Sequence, residues 1–375
     1  MIEYLPHEVA LCILSRLPVT SLLQCKLVCR AWYNLTQNPD LVTLHFSRSG
    51  ENDPCLILHC DYPIRNQLYS LELSTGNEEN QRVNKIRVPM LPEFNVVGSS
   101  KGLLCLRDSL TKDSLYIYNP FTGGYVKLPK PMRLSNQDAV FGFGFRPETK
   151  EYKMVMICCY QIPSGFHFSS EIIPPKSQVH IFTLGCLSWR HVGNIPYYPL
   201  QRPGQVLING RLHWRTQPQK RRSPRLLISF DLADEQFRVV PKPGDLDTYK
   251  LSLVVLGGFL SAAVHRNHRQ CDIWVMKAYD VKESWTKQFS IGIHVPRGLE
   301  QDVAQSFRAS KFYRNRSSFQ VLCLLKNGDL LLDYKCRALV SYNPRNDTFK
   351  DLSFHGIPNW FEPFVHEGNL TLINM

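Results

Sequence analysis

The segment most informative about the architecture is Tyr118-Asn119-Pro120-Phe121-Thr122-Gly123-Gly124-Tyr125, because its pattern recurs along the chain. An aromatic residue is followed seven residues later by a second one, with a polar or glycine- and proline-containing turn between them. This pattern predicts two antiparallel strands joined by a tight turn, with the aromatic side chains packed on a neighbouring layer. The same spacing occurs at Phe182/Trp189, Phe230/Phe237 and Tyr342/Phe349, and Tyr279/Trp285 is one residue shorter.

These hairpins belong to units that repeat at intervals of roughly 50–60 residues, a period typical of propeller repeats. Several units also contain an earlier hairpin with glycine at its tip, as at Gly102, Gly210 and Gly328. We delimit six units, at about 55–90, 95–130, 139–197, 204–243, 250–292 and 309–354. A ring of four-stranded sheets leaves no open strand edge, so the repeat predicts a β-propeller of six blades. Residues 361–373 are expected to complete the first blade. A seven-bladed ring and a two-sheet sandwich remain alternatives.

Composition excludes several classes of protein. The chain has 375 residues, of which 43% are hydrophobic and 20% charged, values typical of globular domains rather than disordered or collagen-like chains. Glycine and serine interrupt the apolar stretch 251–264, which is too short to cross a membrane. Acidic residues near the N-terminus and twelve scattered cysteines without a CxxC pair indicate a reduced protein of the cytoplasm or nucleus.

Two motifs that suggest chemistry lack the context that the chemistry needs. Gly98-Ser99-Ser100-Lys101-Gly102 fits the G-x-S-x-G pattern of a hydrolase, but a strand-like segment follows the serine instead of a helix, so we predict a hairpin turn. His265, His268 and Cys271 have a spacing that could suit a metal, but Arg266 and Arg269 stand between them and would repel a cation. We therefore predict no catalytic residue, no metal and no cofactor.

Residues 5–46 differ from the rest of the chain in having helical periodicity. Pro6 suits the first turn of a helix, Pro18 interrupts the pattern, and a third short helix holds Trp32 before Asn38-Pro39. Three short helices cannot bury so many large apolar side chains among themselves. Either the helices pack on the rest of the chain, or part of their apolar stripe binds another protein, and the pattern alone leaves both options open.

The order and spacing of these segments resemble the F-box. The matching segments are Leu5-Pro6-His7-Glu8-Val9, Ile13-Leu14-Ser15-Arg16-Leu17-Pro18-Val19, Ser21-Leu22-Leu23 and Val28-Cys29-Arg30-Ala31-Trp32. The resemblance implies docking on a Skp-family adaptor and, through it, on a cullin–RING ubiquitin ligase. The positions that match the adaptor-facing residues of the family are Leu5, Pro6, Val9, Ile13, Leu14, Leu17, Val19, Leu22, Leu23, Val28, Cys29 and Trp32.

The body resembles the F-box-associated, kelch-like domain of plant-type F-box proteins. The segments that carry this resemblance are Gly98-Ser99-Ser100-Lys101-Gly102-Leu103-Leu104-Cys105-Leu106, Tyr118-Asn119-Pro120, Phe141-Gly142-Phe143-Gly144-Phe145 and Val206-Leu207-Ile208-Asn209-Gly210-Arg211-Leu212-His213-Trp214. The expected fold is therefore α+β and multidomain, with a three-helix F-box at 1–46 and an all-β propeller-like domain at 47–375. The second domain is expected to recruit a target protein, with residues 161–176 and 217–224 as candidate binding loops.

The formal net charge of +12 lies entirely in the body, because acidic and basic residues balance in residues 1–46. A local cluster comprises Lys220, Arg221, Arg222 and Arg225. It is a candidate surface for an acidic or phosphorylated partner, and a solvated loop is the alternative. The cluster contains no aromatic residue on which a base could stack, which disfavours a nucleic-acid partner.

The sequence thus predicts a non-catalytic, substrate-recognition subunit of a Skp–cullin–F-box ubiquitin ligase, with a target of unknown identity. One alternative is a ligand-binding or enzymatic propeller, and another is a basic propeller that binds nucleic acid. In both alternatives the helical head is merely structural.

Overall fold

The computed structural model describes residues 5–48, 54–60, 66–73, 83–88, 90–112, 114–131, 137–160, 177–200, 205–217, 225–244, 250–266, 270–292, 294, 296, 299 and 319–370. No helix in these ranges is both long and apolar enough to cross a bilayer. Eight of the twelve cysteines are buried, as expected of small apolar side chains.

The N-terminal head contains four helices, α1 (His7–Leu14), α2 (Val19–Cys25), α3 (Arg30–Thr36) and α4 (Pro39–Ser47). The sequence predicts three, because Asn38-Pro39 looks like the end of a helical region. In the structure this pair begins α4: the Asn38 side chain accepts a hydrogen bond from the Asp40 backbone N–H at 2.8 Å. Proline suits the first helical position, where its missing N–H costs no hydrogen bond. The boundary expected between residues 46 and 47 falls at the end of α4.

The rest of the described chain is built from short strands. In chain order they are β1 (Cys55–Cys60), β2 (Gln67–Glu72), β3 (Asn84–Ile86), β4 (Phe94–Ser100), β5 (Leu103–Asp108), β6 (Leu115–Tyr118), β7 (Tyr125–Lys127), β8 (Gln137–Arg146), β9 (Glu151–Tyr160), β10 (Ser177–Thr183), β11 (Arg190–Ile195), β12 (Val206–Ile208), β13 (Arg211–Arg215), β14 (Leu227–Asp231), β15 (Phe237–Val240), β16 (Lys250–Leu256), β17 (Phe259–Arg266), β18 (Gln270–Met276), β19 (Trp285–Ile291), β20 (Gln320–Leu324), β21 (Leu330–Tyr334), β22 (Ala338–Asn343), β23 (Thr348–Leu352) and β24 (Glu362–His366). A 3-10 turn, Lys282–Ser284, precedes β19.

The described strands form six four-stranded antiparallel sheets, and each sheet is one blade of a closed ring. Blades 2 to 6 each use four consecutive strands, β4–β7, β8–β11, β12–β15, β16–β19 and β20–β23. Blade 1 takes its innermost strand from the end of the chain, since β24 pairs with β1 from Cys55↔His366 to His59↔Glu362. The predicted six-bladed propeller and the completion of its first blade by the tail are confirmed, and a two-sheet sandwich is excluded.

Apolar side chains fill the spaces between neighbouring blades in six clusters, one for each pair. Strand β5, for example, contributes side chains to two of these clusters. Leu104 and Leu106 point towards blade 1, whereas Leu103 and Cys105 point towards blade 3. Side chains alternate between the two faces of a strand, so a strand covered on both sides is apolar along most of its length.

The aromatic pairs found in the sequence do form hairpins. Tyr118 lies opposite Tyr125, Phe230 opposite Phe237, and Tyr342 opposite Phe349. Blade 5 departs from this pattern, because the shorter spacing and the 3-10 turn place Met276 opposite Trp285 instead of Tyr279.

Indole N–H groups also join successive blades. Trp189 of blade 3 donates to the Pro129 carbonyl, which follows blade 2, at 2.8 Å. Trp285 of blade 5 donates to the Pro241 carbonyl, which follows blade 4, at 2.9 Å. Such bonds satisfy the polar end of a mostly apolar side chain.

Strand direction gives the ring two distinct faces. One face, here called the head face, carries turns such as Lys101–Gly102 between β4 and β5, and the head lies on it. The opposite face, the far face, is where β5, β13 and β21 end. The strands on either side of residues 161–176 and 218–224 also end at the far face.

Candidate partner-binding sites

The head is seated on the propeller through an apolar cluster. Leu14, Val19 and Leu22 of the head pack in one cluster with Leu370, and Phe121 from blade 2 packs against it. The Thr20 hydroxyl donates to the Glu72 carboxylate of blade 1 at 2.7 Å. One side of the helical stripe is therefore covered by the chain itself.

The twelve predicted adaptor-facing residues fall into three groups. Fully or nearly fully buried are Leu14, Val19 and Leu22. Partly buried are Leu17, Leu23 and Trp32. Exposed are Leu5, Pro6, Val9, Ile13, Val28 and Cys29. Leu14, Val19 and Leu22 lie in the core of the head, in one cluster with Leu370 and with Phe121 packed against it. Adaptor contact by the twelve residues stays a prediction.

The uncovered side of the head is unusually apolar for a surface. Val9 and Ile13 of α1 are 43% and 45% exposed, and Leu5, two residues before the helix begins, is 40% exposed. Leu27 and Val28, in the turn between α2 and α3, are 87% and 62% exposed. We call these five residues, which come from two parts of the head, the head patch. Exposed apolar side chains of this kind on a small helical unit are a candidate interface for another protein.

The head patch includes a residue that the sequence reasoning missed. In the sequence, Leu27 continues the apolar period of the second helix, which predicts a helical position. The helix ends at Cys25, so Leu27 lies in the following turn and points outward. Tyr33 of α3 is also half exposed.

Polar contacts hold α1 and the following turn to α4 and Arg48. Arg48 donates to the Ser15 hydroxyl at 2.6 Å and to the Cys12 carbonyl at 3.0 Å. Hydrogen bonding to Arg48 also lowers the pKa of the Cys12 thiol. A nitrogen of His45, Nε2, lies 3.0 Å from the Leu17 carbonyl, and burial lowers the pKa of this histidine, so it stays neutral at pH 7.

The residues that follow β24 form a joint between tail, head and blades. Asn369 is buried, donates to the Lys101 carbonyl at 2.9 Å, and its own carbonyl accepts from the Asn119 amide at 3.2 Å. Gly368 sits so close to the head that a Cβ there would lie 2.6 Å from Val19 Cγ1. The head is therefore fixed to the ring over a closely packed contact.

A central channel of about 1250 Å³ runs between the inner strands β24, β4, β8, β12, β16 and β20. At the head-face mouth, Lys101 pairs with Glu367 at 2.6 Å, and Arg146 pairs with Glu148 at 3.5 Å. At the far-face mouth the lining includes Arg107, Arg215 and Lys335. Two carboxylates, Asp333 and Glu362, also line the channel on this side.

Several predicted features lie outside the described residues: Lys220, Arg221 and Arg222 of the basic cluster, and the candidate loops at 161–176 and 218–224. Arg225, the remaining member of the cluster, is exposed on the far side of the ring.

The motifs set aside in the sequence have structural roles where they are described. Ser99 and Ser100 end β4, and Lys101–Gly102 form a tight turn with positive φ, as the hairpin prediction requires. Cys271 Sγ lies 3.9 Å from His265 Nε2, and the Asp272 carboxylate pairs with Arg266 and Lys287 at 2.9 and 3.0 Å. His268 lies outside the described residues. The described part of the chain contains no group of three or more metal-binding side chains.

The protein therefore combines a small four-helix domain, which has an exposed apolar patch, with a six-bladed β-propeller. Residues 2–46 match the family model described as F-box-like, and residues 57–373 match the F-box associated beta propeller domain. The chain belongs to the F-box proteins that carry an F-box-associated β-propeller.

Known relatives agree with this assignment. F-box protein At3g07870 of Arabidopsis thaliana is 44% identical over 390 residues, covering 99% of this chain and 92% of that protein. F-box protein CPR1 of Arabidopsis thaliana is 28% identical over 316 residues, covering 76% and 73%. Among solved structures, an oligogalacturonate lyase in complex with manganese has a TM-score of 0.46 at 10% identity, covering 81% of this chain and 74% of that one. This last likeness is too distant to carry an inference about function.

Proposed function

We propose that this protein is the substrate-recognition subunit of a Skp–cullin–F-box ubiquitin ligase, working in the cytoplasm or nucleus. In this proposal the head binds a Skp-family adaptor through the head patch, and the propeller holds the protein to be ubiquitinated. The observation that carries the proposal is the division of the helical stripe: one side is buried against the propeller, and the other side remains exposed and apolar.

The joint between head and ring supports the same proposal. A recruiting subunit works by holding its target near the transfer machinery, which raises the effective concentration of the reacting groups. A loosely tethered head would lower this effective concentration. The packing of Val19 on Gly368 and Phe121 instead keeps the two parts in one arrangement. The protein itself then needs no acid, base or nucleophile, so we propose that it is not an enzyme.

The test is capture of a purified Skp-family adaptor by the full chain and by Ile13→Asp. Ile13 is exposed in the head patch, so the new carboxylate is solvated in the free protein but would be buried without a partner in the complex. We expect capture to fall at least tenfold. Leu187→Asp is the matched control, since Leu187 is 93% exposed on a propeller turn, and it should bind the adaptor normally.

Both variants should unfold at the temperature of the unmodified chain, because neither side chain is buried. Normal adaptor capture by Ile13→Asp and by Leu27→Asp would refute the head patch as the adaptor site. Loss of capture in Leu187→Asp as well would indicate a general effect of added charge.

A further inference from the structure

Three positive side chains line the far-face mouth of the channel. Arg107 is next to last in β5 of blade 2, Arg215 is the last residue of β13 in blade 4, and Lys335 directly follows β21 in blade 6. They come from equivalent ends of equivalent strands in alternate blades. The repeat of the fold therefore distributes them around the opening.

Arg215 is in an unfavourable electrostatic environment. Its side chain is partly buried between blades 4 and 5, and its described hydrogen bond is to the Leu251 carbonyl. Burial lowers its pKa to about 10, and the positive charge of Arg225 contributes in the same direction. Within the described ranges, no carboxylate forms an ion pair with it. A cation held in this way is stabilised by an anion that enters the channel.

The charges at the far-face mouth can be compared with those at the head-face mouth of the same channel. There the lining residue Lys101 has a carboxylate partner, Glu367, at 2.6 Å. Two acids line the far-face mouth, Asp333 and Glu362. Asp333 is buried and already accepts a hydrogen bond from the Cys336 backbone N–H at 2.9 Å. Among the described residues, Lys101 at the head-face mouth thus has a carboxylate ion pair and Arg215 at the far-face mouth does not.

We propose that the far-face mouth of the channel binds an anionic side chain of the target protein, with Arg215 as its direct partner and Arg107 and Lys335 adding positive charge at the rim. This rests on the proposed function, in which the propeller holds a target. Guanidinium presents paired donors that match the oxygens of a carboxylate or a phosphate. The recognised segment is thus an acidic or phosphorylated stretch of polypeptide.

The lining beside Arg215 favours polypeptide over nucleic acid. The Arg215 guanidinium donates to the Leu251 carbonyl, and the Arg215 backbone carbonyl accepts from the Leu200 N–H at 2.7 Å, and both of these neighbours are aliphatic. Four phenylalanines also line the channel, and two of them, Phe141 and Phe319, are buried between blades. Single-stranded nucleic acid needs exposed aromatic rings for its bases, whereas a peptide side chain of a few atoms can pair with one guanidinium without them.

The experiment measures binding of fluorescein-labelled hexaglutamate, and of a labelled hexapeptide with one phosphoserine among glycines, to the full chain by anisotropy at constant ionic strength. A hexaglutamine peptide is the neutral probe. We expect at least one anionic peptide to bind, hexaglutamine not to bind, and Arg215→Gln to weaken anionic binding at least tenfold. Binding of both anionic probes means that carboxylates suffice, and binding of the phosphopeptide alone means that the site reads phosphate.

Arg238→Gln is the matched control, because Arg238 is an exposed arginine on the head face that already pairs with Asp234. Its effect on peptide binding should be less than twofold. Lys335→Gln changes an exposed rim residue, so it tests the site even if Arg215→Gln fails to fold, and it should weaken binding two- to fivefold. Equal binding by the unmodified chain, Arg215→Gln and Lys335→Gln would overturn the proposal. So would binding of labelled oligo-dT, lost in Arg215→Gln, without binding of either anionic peptide.

Adaptor capture measured on the same samples separates this proposal from the adaptor role. Arg215→Gln should capture the adaptor normally, and Ile13→Asp should bind the anionic peptide normally. If Ile13→Asp retains the adaptor while Arg215→Gln loses the peptide, the adaptor assignment fails and the anion site stands.

Discussion

Two buried histidines are held without charge inside the folded protein. His366, at the end of β24, has Nδ1 2.9 Å from the Ser99 hydroxyl and is fully enclosed. His213 in β13 has Nε2 2.7 Å from the Tyr279 hydroxyl. Burial lowers the pKa of His366 to about 3 and that of His213 to about 4. Both stay neutral in the native state at pH values where an unfolded chain would protonate them.

The free energy of unfolding should therefore decrease as the pH is lowered. Below the unfolded pKa of about 6.5, the unfolded state binds protons on these histidines and the folded state does not. The free energy of unfolding should therefore decrease by about 1.4 kcal/mol per pH unit for each histidine as pH is lowered from about 6 to about 4. Urea unfolding followed by tryptophan fluorescence measures this slope. His366→Gln should reduce the slope by the contribution of one group.

His355→Gln is the control for this experiment, because His355 is exposed, and its slope should match that of the unmodified chain. An unchanged slope in His366→Gln would show that this histidine is not kept neutral by burial.

The strand β24 links parts of the chain that are distant in sequence. It supplies the inner edge of blade 1 and lies between β1 and the neighbouring inner strands β4 and β20. The residues after it bring Leu370 into the core of the head. Without β24, the edge of β1 would be unpaired and the ring would be open.

A chain that ends at residue 361 should therefore lose more than one blade. We expect it to lack the cooperative thermal transition of the full chain and to self-associate through the unpaired edge, as seen by calorimetry and size-exclusion chromatography. A chain that ends at residue 370 keeps β24 and Leu370 and should unfold like the full chain. A shortened chain of 361 residues with an unchanged transition would contradict the closing role of β24.

Local patterns predicted the elements well where the decisive partners are close in sequence. The hairpins of blades 2, 4 and 6 follow from aromatic spacing and turn residues, since both strands lie within a few residues of each other. The start of α4 could also have been read from Asn38-Pro39, because this pair fits a helix cap as well as a helix end. That ambiguity, and not a lack of signal, explains the missed helix.

Long-range contacts set the limit of what the sequence predicts about the head. The apolar stripe is visible in the sequence, but its buried side is decided by Leu370 and Phe121, which lie in other parts of the chain. Nothing local distinguishes Leu14, which is enclosed, from Ile13, which is not. The proposed anion site has the same origin, because Arg107, Arg215 and Lys335 line one channel only once the ring closes.

At the scale of the whole molecule, Gly368 controls how the head meets the propeller. A Cβ at this position would lie 2.6 Å from Val19 Cγ1 and 2.9 Å from Phe121 Cε2, so Gly368→Ala forces side chains at the contact between head and propeller to shift. Overpacking of this kind costs about 1–3 kcal/mol. We expect faster hydrogen exchange in α1 and α2, with exchange in the blades unchanged, as measured by mass spectrometry.

Gly292→Ala is the matched substitution, because the space around Gly292 is open to 4 Å. It should leave exchange unchanged in the head and in the blades. Identical exchange in the head of Gly368→Ala and of the unmodified chain would mean that the head does not depend on this contact.

The use of β24 as an inner strand also has a consequence for biosynthesis. A ribosome makes the F-box first, but the leucine that completes its core and the strand that closes the ring leave the exit tunnel late. Under the proposed function, a nascent chain would not present a finished adaptor surface before its propeller is complete. Products of premature termination would then compete poorly for the adaptor.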